Sequence, residues 1–133
     1  ALDAALELGL PCGGWCPCGR LAEDGPIEPR YPLRETPSAD YAQRTEWNVR
    51  DSDGTLAFCH GRPKGGTAYT IEVARRLGKA LLVLDLEREP DPGILARWVQ
   101  QHGIATLNVA GPRESQRPGM YAQVKRFLFA ALQ

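Results

Sequence analysis

The chain is predicted to fold as an α/β sandwich with a mainly parallel sheet, and three observations carry that prediction. Strand-type and helix-type patterns alternate from end to end. The run ALLVL at 80–84 is continuously apolar, as expected of a strand covered on both faces. A short apolar strand, Thr55–Cys59, leads through a loop to Gly65-Gly66-Thr67, where a helix begins. In such folds ligands bind beyond the carboxyl ends of the strands, which puts Gly65–Thr67 and the later loop Gly111–Ser115 on one rim.

The elements follow in order. Ala1–Leu8 reads as a helix with Leu2, Ala5 and Leu6 on one face and Gly9 as its stop. A domain of this type usually starts with a strand, so a strand and its loop are expected ahead of Ala1. Leu10–Trp15 reads as a short strand. Residues 16–38 are rich in Pro, Gly and charge and form a long irregular excursion, the kind of loop that tends to be functional. Ser38 is placed to cap a helix over about 39–50. After the strand 55–59, helix Thr67–Leu77 buries Ile71, Ala74 and Leu77 and stops at Gly78. Asp91-Pro92 is a cap followed by a first-turn proline and opens helix 92–102. There Ile94, Leu95, Trp98 and Val99 point inward. Ala105–Val109 is the next strand. The last helix, about 118–132, carries Tyr121, Val124, Leu128 and Ala131 on one stripe.

Composition narrows the function. The 133 residues suit a single domain, 1–133, with room for a real core. Sixteen basic and sixteen acidic residues cancel, so no global field favours nucleic acid or anionic lipid, and neither is an expected partner. No apolar run approaches the roughly 20 residues that cross a bilayer, and no signal peptide is visible. Four cysteines, three of them crowded together, do not resemble a secreted disulfide framework. A cytoplasmic, reducing compartment is the expectation.

The candidate chemistry centres on a phosphate cradle. A helix start leaves backbone N–H groups unpaired and carries partial positive charge, and glycines let an anion approach closely. Gly65, Gly66, Thr67 and Thr70 are therefore candidate ligand contacts; the plain alternative is a tight strand-to-helix connection. Tyr41, Arg44, Thr45 and Asn48 fall at i, i+3, i+4 and i+7, on one helix face. Arg44 and Asn48 are candidate contacts there, against the alternative of a solvated face. The Arg44 fork suits phosphate or carboxylate. Asp53 either orients the glycine loop or touches ligand. Glu72 either favours the helix dipole or acts as a catalytic carboxylate. Asn108, Arg113 and Ser115 form a second candidate anion contact, or simply a turn. Glu23-Asp24-Gly25 is either a tight turn or a polar contact. His102 reads as dipole compensation. Cys12, Cys16 and Cys18 have C-x3-C-x-C spacing and lack the paired C-x2-C knuckles of a structural zinc site, so no structural metal is expected.

Together the segments GWCPCGRLAEDGPI (14–27), YPLRET (31–36), YAQRTEWNVRDSDGTL (41–56), GGTAYT (65–70) and NVAGPRES (108–115) resemble the putative molybdenum carrier family. That family belongs to the Rossmann-like superfamily with the LONELY GUY and lysine-decarboxylase-like proteins. The resemblance covers nearly the whole chain. It implies a Rossmann-like three-layer sandwich whose first strand and SGGQTGVDR-like turn would precede the first helix here. It also implies a phosphorylated small-molecule ligand, molybdenum cofactor or a nucleotide, and a homo-oligomer, for which the apolar last helix would suit an interface. At position 18 the family would have Lys, so Cys18 is a departure. The LONELY GUY-type enzymes cleave nucleoside monophosphates at the N-glycosidic bond with a PGGxGTxxE motif and an upstream Arg. Gly65, Gly66, Glu72 and Arg44 match that motif, whereas Lys64, Ala68 and Tyr69 depart from it. The resemblance thus implies a carrier or sensor, with a phosphoribohydrolase using Arg44 and Glu72 as the alternative.

Overall fold

The computed structural model describes residues 1–16, 18–22, 25–27, 30–38, 40–112 and 117–132. Its centre is a parallel sheet of β5 (Gly54–Cys59), β6 (Ala80–Asp85) and β7 (Leu107–Ala110), in the order β6-β5-β7. All six residues of β5 are buried, because both faces are covered, β6 runs along one whole edge and β7 along the other from Gly54 to Ala57. Side chains alternate across the pleat. Leu56 and Phe58 face one core with Leu84, Leu95, Trp98, Phe127 and Leu128. On the other side, Leu81 of β6 packs with Val49, Val73 and Ala74. The first core belongs to α1 (Leu2–Glu7), α4 (Gly93–His102) and α5 (Met120–Leu132); the second to α2 (Tyr41–Arg50) and α3 (Gly65–Arg76). These are the three layers expected of a Rossmann-like fold.

Two crossovers build the sheet. From β5 the chain passes through α3 to β6; from β6 it passes through α4 back across β5 to β7. Direction and face both reverse, so the two crossovers share one hand, as the twist of parallel strands demands. At the amino ends of the strands, Asp53 Oδ2 accepts the N–H groups of Ala105 and Thr106 at 3.0 and 2.8 Å, pinning β7 in register.

Several local expectations are corrected. The strand expected over 10–15 is only β1 (Trp15–Cys16), paired in parallel with β4 (Arg34–Glu35). Inside the excursion lies a further short pair, β2 (Leu21–Ala22) with β3 (Gly25–Pro26). The excursion is tied together by Arg20, whose guanidinium donates to the carbonyls of Ile27, Leu33 and Tyr31 at 3.3, 3.0 and 3.0 Å. Its outer surface stacks Trp15 edge-on against Trp47 of α2, with ring centroids 4.8 Å apart. The side-chain cap of α2 is Asp40, which accepts from Ala42, while Ser38 accepts from the N–H of Asp40. On α1 the buried residue is Ala4, and Leu6 is exposed, because the helix meets α5 along a different stripe. On α5, Met120, Phe127 and Leu128 are buried and Tyr121 is half exposed.

Asp3 locks α1 to the rest of the molecule. Its carboxylate accepts hydrogen bonds from Tyr31 (2.6 Å) and from Tyr121, and pairs with Arg30. Burial is the largest single influence and pushes the Asp3 carboxyl up, but the bonds from Tyr121, Tyr31 and Arg30 together hold it below its ordinary value. The same bond pushes Tyr121 up to about 12. A carboxyl lowered on folding contributes stability above its unfolded pKa and loses it as pH falls through the folded one. Wild type should therefore melt above Asp3→Asn at pH 7, and the gap in Tm should close as pH falls below about 3.9. Thermal unfolding of both proteins between pH 2 and 7 measures this.

Candidate functional site

The helix α3 leaves β5 toward one face of the sheet, and α5 leaves β7 toward the other. The carboxyl ends of two neighbouring strands thus diverge, which is the topological switch point where open α/β sheets hold ligands. Residues 60–64 and, after β7, Gly111 and Pro112 border this crevice. Gly111 packs beside Phe58 at the end of β5, where an added Cβ would lie 3.5 Å from the Phe58 Cβ.

On the α3 side the chain turns at Gly65, φ +54°, and the helix begins. Lys64 occupies the N-cap position and makes no side-chain capping bond. The first-turn N–H groups have no intrahelical acceptor. A Cβ built on Gly65 or Gly66 meets nothing within 4 Å, and both glycines are exposed, so the outer side of this turn is open. Arg62 and Lys64, both exposed, add positive charge to the approach. Thr67 is buried in this turn. Thr70 is buried one turn on, and its hydroxyl donates to the Gly66 carbonyl at 2.8 Å.

Helices α2 and α3 run side by side in the same direction. Glu46 accepts from Tyr69 at 2.6 Å, and Val49 packs with Val73. That offset sets Tyr41 and Arg44 level with Gly65–Ala68. Arg44 is half-buried, its guanidinium 5.6 Å from the Tyr41 ring centroid. It also faces Cys16, where burial pushes the thiol up and the charges of Arg20 and Arg44 oppose that rise. Tyr69, which departs from the phosphoribohydrolase motif, serves here as a tie between the two helices.

Other sequence candidates sit elsewhere. Asp53 is at the amino end of β5, across the sheet from Gly65, where the N–H groups of Thr106 and Ala105 hold its carboxyl below the ordinary value. Asn108 lies within β7 opposite Thr55 and donates to its hydroxyl at 3.3 Å. Glu72 is exposed, in the third turn of α3 and beyond the reach of the helix-end dipole. Asn48 clamps the excursion: its Oδ1 accepts from the Trp15 N–H at 2.8 Å, and its Nδ2 donates to the Trp15 carbonyl at 3.1 Å. Arg113, Ser115, Glu23 and Asp24 lie outside the described residues. All four cysteines are free, and among the described residues no three His, Cys, Asp or Glu side chains group as metal ligands. Among the described residues no helix is long and apolar enough to cross a membrane.

Two contacts at the rim escaped the sequence reading. His60 Nε2 lies 2.7 Å from Gln123 Oε1 of α5. Asp85, at the end of β6, accepts the Gly61 N–H at 2.9 Å. The available signal for Asp85 was its position, an acidic residue closing an apolar parallel strand.

Comparison with known proteins agrees with this fold. The sequence model described as "Circularly permutated YpsA SLOG family" matches residues 1–132. A crystal structure named "putative molybdenum carrier protein", from Syntrophus aciditrophicus SB, is 43% identical, with a TM-score of 0.95 over 100% of this chain and 86% of that one. No curated protein matches. The chain belongs to the circularly permuted YpsA SLOG family.

The paired hydrogen bonds between Asn48 and the Trp15 backbone predict a structural penalty. Asn48→Ala leaves both Trp15 backbone groups without their partner and should cost about 1–3 kcal/mol of stability, measured by denaturant unfolding.

Proposed function

We propose that this chain binds a phosphorylated nucleotide-like or molybdopterin-type small molecule at the carboxyl rim of its sheet, as a carrier or sensor of that molecule. The observation that carries the reading is the open amino end of α3 at the switch point. Gly65 and Gly66 are exposed in a first turn whose amides have no intrahelical acceptor, the N-cap side chain makes no bond to them, and Arg62 and Lys64 flank them. An anion there would be held by N–H groups and helix charge together. Arg44, level with these amides on α2, supplies a planar fork suited to a second phosphate oxygen or an acidic ring substituent. The name of the 43% identical relative points to a molybdenum-related cargo. In this reading the ligand is held rather than turned over, and Glu72 is a surface carboxylate of α3.

Gly66→Asp tests the site cleanly. A Cβ added at Gly66 meets nothing within 4 Å, and an acidic residue in the first turn favours the helix. Its ligand-free Tm should equal or slightly exceed that of wild type. Native mass spectrometry of the wild-type protein should reveal a phosphorylated pterin or nucleotide, and re-adding that compound should raise the wild-type Tm but not that of Gly66→Asp. Equal stabilisation of both proteins would sink the assignment.

A further inference from the structure

The turn that delivers the chain into α3 is held by a carboxylate from the neighbouring strand. Asp85 closes β6 directly opposite Cys59, the last residue of β5. Its Oδ1 accepts two backbone N–H groups, from Gly61 at 2.9 Å and from Glu87 at 3.0 Å. Gly61 has φ +69°, and a Cβ there would lie 3.6 Å from the Glu87 carboxylate, so the turn passes close against this corner of β6. From the opposite side His60 is tied to Gln123 of α5. Three residues beyond Gly61 stands Lys64, the N-cap of α3. So short a connection transmits the placement of Gly61 to Gly65 and Gly66.

We propose that Asp85 is a positioning residue of the anion site: without touching the ligand, it fixes the turn that aims the Gly65–Thr67 amides into the crevice. The Gly61 bond is the largest influence on its carboxyl and holds it below the ordinary value, which agrees with a carboxylate committed to this turn. Residues 60–64 carry no regular secondary structure of their own, so anchors from β6 and α5 take the place of a local ladder. The role presupposes the anion-binding reading of α3, and two separate readouts distinguish failure of one from failure of the other.

The experiment compares wild type with Asp85→Ala and Asp85→Asn in the full chain. Asn keeps an oxygen that can accept the Gly61 N–H; Ala does not. In the ligand-free proteins, NMR order parameters of Gly65 and Gly66 should fall from about 0.85 toward 0.6 in Asp85→Ala and remain near wild type in Asp85→Asn. With adenosine monophosphate as probe, Asp85→Ala should bind about tenfold more weakly, and Asp85→Asn near wild type. If the Ala variant does not fold, Asp85→Glu, which moves the carboxylate by one methylene, should show the same loosening in smaller degree. Rigid Gly65 and Gly66 amides in Asp85→Ala, or equal loss in the Ala and Asn variants, overturn the proposal. A wild type that ignores the probe while Asp85→Ala loosens the turn supports the hold of Asp85 on the turn and counts against the anion site alone.

Discussion

The structure depends on β5 being dry. With both faces covered, β6 along one whole edge and β7 along the other from Gly54 to Ala57, the backbone polar groups of β5 must pair with its neighbours and every side chain must find a packed neighbour. That requirement fixes β5 at the centre of the sheet and one helical layer on each side, while the hand of both crossovers follows from strand twist. It also fixes where the chain can be irregular. Only beyond the ends of β5 can backbone amides go unpaired, and at the carboxyl end the glycine pair does so. At the amino end the same freedom is closed off by Asp53, whose carboxylate takes up two amides of the incoming β7 segment.

The sequence revealed those elements whose cause is local. The ALLVL run, the stops at Gly9, Gly78 and Gly103, and the inward stripe Leu95-Trp98 on α4 all follow from periodicity and backbone conformation. The excursion was opaque because its order is non-local. Arg20 reaches carbonyls up to 13 residues away, and Asn48 bonds a backbone 33 residues upstream. No pattern within a window encodes such contacts. Ser38 misled for a related reason: it bonds the N–H of Asp40, one step before the helix, and leaves the cap to that aspartate.

The candidate site was legible in outline through topology. A glycine pair between a buried strand and a helix lies on the carboxyl rim in any parallel α/β sheet. Side-chain roles were less readable, because a residue near the motif in sequence can stand at the far end of the sheet. Asp53 precedes the very strand that leads to the cradle, and that strand's length separates the two. Asp85 is the converse case, twenty residues beyond Gly65 in sequence yet adjacent to the turn through strand pairing.

The tryptophans divide the molecule into two optically distinct regions. Of the three, Trp98 lies in the main core among Leu56, Leu95 and Ile104, whereas Trp15 and Trp47 face each other across the junction of the excursion with α2. Two indoles in edge-to-face contact couple their electronic transitions, and that coupling exists only while the excursion is docked. The near-ultraviolet dichroism of the pair therefore reports the docking of Trp15 on α2, while the fluorescence of the buried Trp98 reports the integrity of the sheet. The intact protein thus carries intrinsic probes that can tell peeling of the outer segment from melting of the core.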